Sequence, residues 1–176
     1  MTKNEIRHRA SEFCRTNNIV SYPVEIIKIC NSLGIRVFEE YLDPEVSGLI
    51  VVDDEVWKKY GTSQFIVVNL AESAARRRFT IAHELAHFVL HRENGTLYAH
   101  RDMVDNTGVL NSIEREANYF AANILMPEQL VRDKVQDIRE EMWGVLPAFV
   151  LRREIADSFA VSESAAEVRL KQLELI

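Results

Sequence analysis

The spacing of apolar residues divides the first part of the chain into two helices and three strands. Thr2-Lys3-Asn4-Glu5 has the form of a capping box, which predicts a helix from there to about Asn17. A second helix is predicted from Pro23 to Leu33, because apolar residues recur at helical spacing until Gly34 ends the pattern. Short stretches rich in β-branched and aromatic residues then predict strands at 35–41, 47–52 and 65–68.

The second half of the chain has the periodicity of helices. The segment from Asn69 to Glu72 again has the form of a cap and is predicted to begin a long helix that ends near His91. Further helices are predicted at about 109–125, 127–143, 148–159 and 162–173. Because strands and helices are grouped, the pattern predicts an α+β fold whose small three-stranded sheet, mixed or antiparallel, packs on the long helix.

The amino-acid composition excludes several classes of protein. The 176 residues are 47% hydrophobic and 27% charged, which excludes a disordered chain, a collagen-like repeat and a membrane-spanning protein. The net charge of −6 disfavours nucleic-acid binding, which needs Lys and Arg. The N-terminus does not resemble a secretory signal, and we expect the two cysteines, Cys14 and Cys30, to pack in the core of a cytoplasmic protein.

The long helix carries the residues that indicate a metal site. Residues 83–87 read His-Glu-x-x-His, and positions i and i+4 share one helix face, so that His83 and His87 can bind one ion. Glu84 lies about 100° further round the helix, beside the ion without having to bind it. The opposite face is apolar and suits packing against a sheet.

A catalytic zinc site takes three protein ligands and leaves one position for water. Glu114 on the next helix is favoured as the third ligand, and Asn118, one turn later, could accept a hydrogen bond from a metal-bound histidine. Glu116 and His91 are the alternatives. Glu116 points in a different direction round its helix. His91 lies about 6 Å beyond His87 along a straight helix, and the simpler interpretation is that it ends the helix.

These motifs together resemble the ImmA/IrrE family of zincin-like metallo-endopeptidases. The resemblance covers most of the chain and is strongest at 79–87, at Glu114-x-x-Ala117-Asn118-x-Phe120-Ala121 and at Leu125-Met126-Pro127. It implies a metal bound by His83, His87 and Glu114, with Glu84 as the catalytic base. The one small difference is Ala86, where many members have glycine.

The resemblance also implies a function. Members of the family are intracellular proteases that cleave helix-turn-helix repressors in mobile genetic elements or stress responses. Some members carry an extra N-terminal helix-turn-helix domain or a C-terminal sensor domain. We expect neither in this chain, which looks like the stand-alone peptidase, with a protein substrate and no membrane partner.

In the expected mechanism, zinc activates a water molecule and Glu84 takes the proton. Manganese, iron or cobalt would also suit two histidines and a carboxylate. The strand at 65–68 could accept an extended substrate at its edge. The candidates for stabilising the oxyanion are Tyr119, Tyr98, His91 and His100.

The chain is predicted to consist of a peptidase core, residues 1–126, and a helical extension, residues 127–176, that packs on the core. The extension resembles a helix-turn-helix, but its seven Lys and Arg against ten Asp and Glu give it a net charge of −3. We therefore expect a structural or partner-docking role and no direct DNA binding. The alternative function is a non-catalytic module that binds a repressor or toxin, with a structural metal or none.

Overall fold

The computed structural model describes residues 1–53, 61–91, 112–142 and 146–176. Across these ranges the chain forms an α+β fold, as predicted. In chain order its elements are α1 Lys3–Thr16, α2 Ile26–Ser32, β1 Arg36–Glu40, β2 Gly48–Val52, β3 Gln64–Asn69, α3 Ala74–Leu90, α4 Ser112–Leu125, α5 Glu128–Glu141, α6 Ala148–Phe159 and α7 Glu163–Gln172.

The predicted start of α1 is confirmed, whereas α2 begins later than predicted. Thr2 and Glu5 form the reciprocal capping box that the sequence indicates. α2 begins at Ile26, three residues after the predicted start. The carbonyl of Val24, in the segment before it, accepts a hydrogen bond from Arg78 Nη2 at 2.9 Å. That segment is therefore bound to α3 instead of forming a first helical turn.

The three strands form a mixed sheet in the order β1-β3-β2. β1 runs parallel to β3, and β2 runs antiparallel to it, so that Ile66 of β3 lies opposite Val37 on one side and Ile50 on the other. The expectation that the strand at 65–68 offers an edge to a substrate is therefore wrong. Strand order depends on contacts between distant segments, which the spacing of residues along β3 does not reveal.

The hydrogen-bond pattern of β2 shows which of its backbone groups face outwards. Asn69 N–H donates to the Ser47 carbonyl and Asp53 N–H donates to the Ser63 carbonyl, both at 2.9 Å. In an antiparallel pair these bonded positions alternate with non-bonded ones. The even-numbered residues 48, 50 and 52 therefore direct their N–H and C=O groups to the outer edge of the sheet.

α3 packs against β2 and β3 and buries an apolar face that includes Ile81, Ala82 and Leu85. The helix lies close to the sheet at Gly48. A Cβ atom there would lie 2.5 Å from Thr80 Cγ2 and 2.8 Å from the Val67 carbonyl oxygen. Glycine at this position lets α3 lie close to β2, as a glycine within a strand often does where another element approaches.

The predicted cap of α3 is wrong. Ser73, not Asn69, caps the helix, since its hydroxyl accepts a hydrogen bond from Arg76 N–H. Asn69 instead ends β3. Its side-chain amide bonds to backbone groups of Leu42, Asp43, Val46 and Ala71. These bonds order the connection between β1 and β2, and this long-range use of Asn69 prevails over the local capping pattern.

The last two helices meet at a short turn and contact the earlier part of the chain. Ser162 caps α7, and the Tyr22 ring stacks on Phe159 at 4.5 Å between centroids. Arg169 Nε donates to the Met126 carbonyl at 3.0 Å. The division of the chain at residue 126 stays a prediction.

Both cysteines, Cys14 and Cys30, are buried in the core as predicted. Among the described helices, none is long and apolar enough to cross a membrane.

Candidate metal centre

Donor atoms of three side chains meet where α3 packs against α4. His83 Nε2 lies 3.0 Å from His87 Nε2 and 3.1 Å from Glu114 Oε2. His87 Nε2 lies 3.5 Å from Glu114 Oε1. The two histidines reach this point because they are one helical turn apart on α3, while the packing of α4 on α3 brings the carboxylate to them.

These distances fit a divalent metal ion. Zinc binds nitrogen and oxygen ligands at about 2.0–2.2 Å, which places the donors of a tetrahedral site about 3.3 Å apart. The three observed separations lie around that value. His87 is fully buried, whereas the side chains of His83 and Glu114 retain 12% and 21% of their exposure, so that the cluster has one side towards solvent.

Asn118 forms a hydrogen bond with His83, one of the two motif histidines. Its Oδ1 atom lies 2.9 Å from His83 Nδ1. An amide oxygen accepts hydrogen bonds, so the proton of the neutral imidazole lies on Nδ1. The other nitrogen, Nε2, therefore directs its lone pair towards His87 and Glu114, which is the tautomer that metal binding needs.

Glu84 lies beside the three-residue cluster and is 1% exposed. Burial, and secondarily the charge of Glu114, raise the pKa of Glu84 well above its usual value, while a hydrogen bond from Ile50 N–H opposes the shift. Since Ile50 directs its N–H to the outer edge of the sheet, the Glu84 carboxylate faces the outer edge of β2. Its Oε2 atom makes no hydrogen bond within the described residues.

The two alternative ligands lie together and are not among the three clustered donors, although the His91 ring centroid is 5.6 Å from that of His87. Glu116 forms an ion pair with the Met1 ammonium group, and its other oxygen lies 3.7 Å from His91 Nε2. His91 caps the end of α3, where its N–H donates to the His87 carbonyl. The donor atoms of Glu114, and not those of Glu116 or His91, therefore cluster with those of the two motif histidines.

Two of the four candidates for stabilising the oxyanion, Tyr119 and His91, lie within the described residues. Tyr98 and His100 lie outside the described residues. Tyr119 lines a groove together with Asn118, and His91 lies between Glu116 and the ring of His87, whose centroid is 5.6 Å from its own.

Sequence reasoning missed Ile50 and Gly48. Ile50 acts through its backbone and so leaves no signal in the sequence. The glycine within a predicted strand was a usable signal, because it indicates a close approach of another element.

Comparisons with known proteins identify a family of metallopeptidases. The model of the M78 peptidase family, described as the IrrE N-terminal-like domain, matches residues 30–171. The metallopeptidase ImmA of Bacillus subtilis is 22% identical over 173 residues, which are 98% of this chain and 88% of that protein. The radiation response metalloprotease IrrE of Deinococcus radiodurans is 34% identical over 71 residues, which are 40% of this chain and 22% of that protein.

A solved structure of a Mycobacterium tuberculosis transcriptional regulator has a similar fold. The match has a TM-score of 0.57 and 15% identity, and it covers 93% of this chain but 45% of the regulator. At this identity the similarity concerns the fold alone. Because the family match spans residues 30–171, which include the three-residue cluster and Glu84, the chain belongs to the ImmA/IrrE family of metallopeptidases.

Proposed function

We propose that this protein is a zinc-dependent endopeptidase whose metal ligands are His83, His87 and Glu114. The observation that carries the proposal is the spacing of their donor atoms, 3.0–3.5 Å apart, beside the buried carboxylate of Glu84. Zinc accepts two imidazoles and a carboxylate and keeps a fourth position open in catalytic sites. Manganese, iron or cobalt would also accept these donors, and metal analysis of the purified protein distinguishes them.

A bound zinc ion would lower the pKa of a coordinated water molecule towards 7 and polarise the scissile carbonyl. Glu84 takes the proton from the attacking water and gives it to the leaving amine. Burial raises the pKa of Glu84, which makes its carboxylate a stronger base towards the attacking water. Ile50 N–H holds one side of the carboxylate, and we assign the proton transfer to Oε2. Asn118 keeps His83 in the tautomer that binds the metal.

The substrate is proposed to pass along the outer edge of β2. The edge-facing backbone groups of residues 48, 50 and 52 lie on the side of Glu84, as the hydrogen bond from Ile50 indicates. A substrate in extended conformation can add to such an edge as a further strand. This places the scissile bond near Glu84 and the three-residue cluster.

The substrate is proposed to be a helix-turn-helix transcriptional repressor. Support comes from the family resemblance, which implies repressor cleavage in the control of mobile elements or stress responses. A non-catalytic module that binds such a repressor is less well supported, because a structural zinc takes four protein ligands. Within the described ranges the cluster contains three.

The proposal is tested by incubating the metal-loaded protein with purified helix-turn-helix repressors from the same organism. Discrete repressor fragments, detected by mass spectrometry and absent when a chelator is added, are the expected result. If the repressor stays intact while it co-purifies with the metal-loaded protein, the chain is a binding module and the proposed peptidase activity is wrong.

A further inference from the structure

A groove of about 710 Å³ lies between α1, the start of α3, α4 and α7. Its volume is that of a small-molecule site. Its walls are largely apolar and include Ile6, Phe79, Ala122, Val161, Ala165 and Val168. No residue of the three strands lines it, so the groove is distinct from the proposed substrate path along β2.

Among the described residues that line the groove, most of the charged groups are cationic. Lys3, Arg76, Arg115 and Arg169 line it, whereas the only carboxylate among its described lining residues is Glu116. Glu116 is itself paired with the Met1 ammonium group. In a chain whose net charge is −6, this local excess of positive charge favours an anionic ligand.

Two helix N-termini reinforce the positive potential. Ser73 and Ala75 from the start of α3, and Ser162 and Ser164 from the start of α7, line the same groove. Helices of 17 and 10 residues present the positive ends of their dipoles there. Anions bind favourably at such positions.

Arg169 is a charged residue of the groove whose side chain is buried. It is only 2% exposed, and its Nε donates to the Met126 carbonyl. Its Nη2 atom has no hydrogen-bond acceptor among the described residues. A buried guanidinium without a full set of acceptors is costly, and an anionic group in the groove would compensate its charge.

We propose that the groove binds a small amphiphilic anion, with an apolar body against α4 and α7 and a carboxylate, sulfonate or phosphate at the cationic groups. Asn118 lines the groove and also bonds to His83, so a bound ligand lies next to the candidate metal centre. The binding itself does not depend on the proposed peptidase activity.

The test is a fluorescence titration of the intact chain with 8-anilinonaphthalene-1-sulfonate. We expect one site per chain, with a dissociation constant on the order of 10 µM for an anion of this size. Decanoate should displace the probe and decanol, which has the same chain length but no charge, should not. Equal displacement by the two would overturn the proposal, as would no displacement by decanoate.

Two variants locate the site. Arg76→Glu reverses an exposed charge at the rim, and Ala165→Trp fills the groove; each should weaken probe binding at least ~10-fold. The matched controls, Arg153→Glu on α6 and Ala71→Trp before α3, lie at exposed positions outside the groove and should bind the probe as the wild type does. Melting curves show which variants are folded. If folded Arg76→Glu protein binds the probe with wild-type affinity, the proposal is wrong. Because the readout is probe binding, a failed repressor assay leaves this result unaffected.

Discussion

Asn118 Oδ1 lies 2.9 Å from His83 Nδ1, and through this hydrogen bond α4 fixes the orientation of a candidate metal ligand on α3. Glu114, one helical turn earlier on α4, lies 3.1 Å from the other nitrogen of the same ring. One turn of α4 therefore contacts both nitrogens of the His83 imidazole. The arrangement holds the ring with Nε2 directed into the three-residue cluster.

Replacement of Asn118 by Ala should leave the fold intact and weaken metal affinity or turnover by about 10–100-fold, since the imidazole loses the group that fixes its tautomer. Asn118→Asp keeps an acceptor oxygen and should recover most of the loss. Metal affinity is measured by competition with a chromophoric chelator. Equal affinities for wild type and Asn118→Ala, together with equal turnover, would remove Asn118 from the site.

Glu114→Ala should lose its metal during dialysis against a weak chelator, because two histidines alone hold the ion poorly. Glu116→Ala and His91→Ala should keep the wild-type metal content, since neither side chain is among the three clustered donors. Metal content per chain, measured by mass spectrometry of the three variants, gives the ranking. Loss of metal from Glu116→Ala and retention by Glu114→Ala would refute the ligand assignment.

The site residues that the sequence could predict are those whose positions follow from the regular geometry of a helix. His83 and His87 are one turn apart on one helix, and so are Glu114 and Asn118 on another; such spacings follow from helix geometry alone. The family resemblance then indicates that residues of the two helices bind the same metal ion. The sheet order, the role of Asn69 and the contact between Ile50 and Glu84 depend on segments far apart in the chain. Capping and strand patterns describe local preferences, which tertiary contacts override.

Gly48→Ala should lower the free energy of unfolding by about 1–3 kcal/mol, the usual range for an added methyl group in a packed site. The new Cβ would meet Thr80 Cγ2 and the Val67 carbonyl, and α3 must move away from β2. Urea denaturation measures the change. Thr80→Ser, which removes the Cγ2 atom, should restore part of the lost stability when combined with Gly48→Ala. Unchanged stability of the single variant would contradict the close approach of α3 and β2.

The two buried thiols should react slowly in the folded protein. Burial raises the pKa of Cys14 to about 11 and that of Cys30 to about 12. The reactive thiolate is therefore scarce at pH 8, and alkylation by iodoacetamide should be at least ~100-fold slower than in urea. Labelling is followed by mass spectrometry of the intact chain. Equal rates in the two conditions would show that the thiols are not buried.

The proposed chemistry depends most on Glu84. Glu84→Gln keeps the size of the side chain and can still accept the hydrogen bond from Ile50 N–H, but it cannot take up a proton at neutral pH. Metal content should stay at the wild-type level, because Glu84 is not among the three clustered donors. Repressor cleavage should fall by at least the ~10²–10⁴-fold that general acid–base catalysis contributes. Glu154→Gln, an exposed change on α6, is the matched control and should cleave normally.

The most direct measurement is the rate of repressor cleavage by purified wild-type and Glu84→Gln proteins that carry equal amounts of metal. The account predicts that the variant binds the repressor and leaves it intact while the wild type produces fragments. Cleavage at the wild-type rate by metal-loaded Glu84→Gln protein would contradict the assignment of Glu84 as the catalytic base.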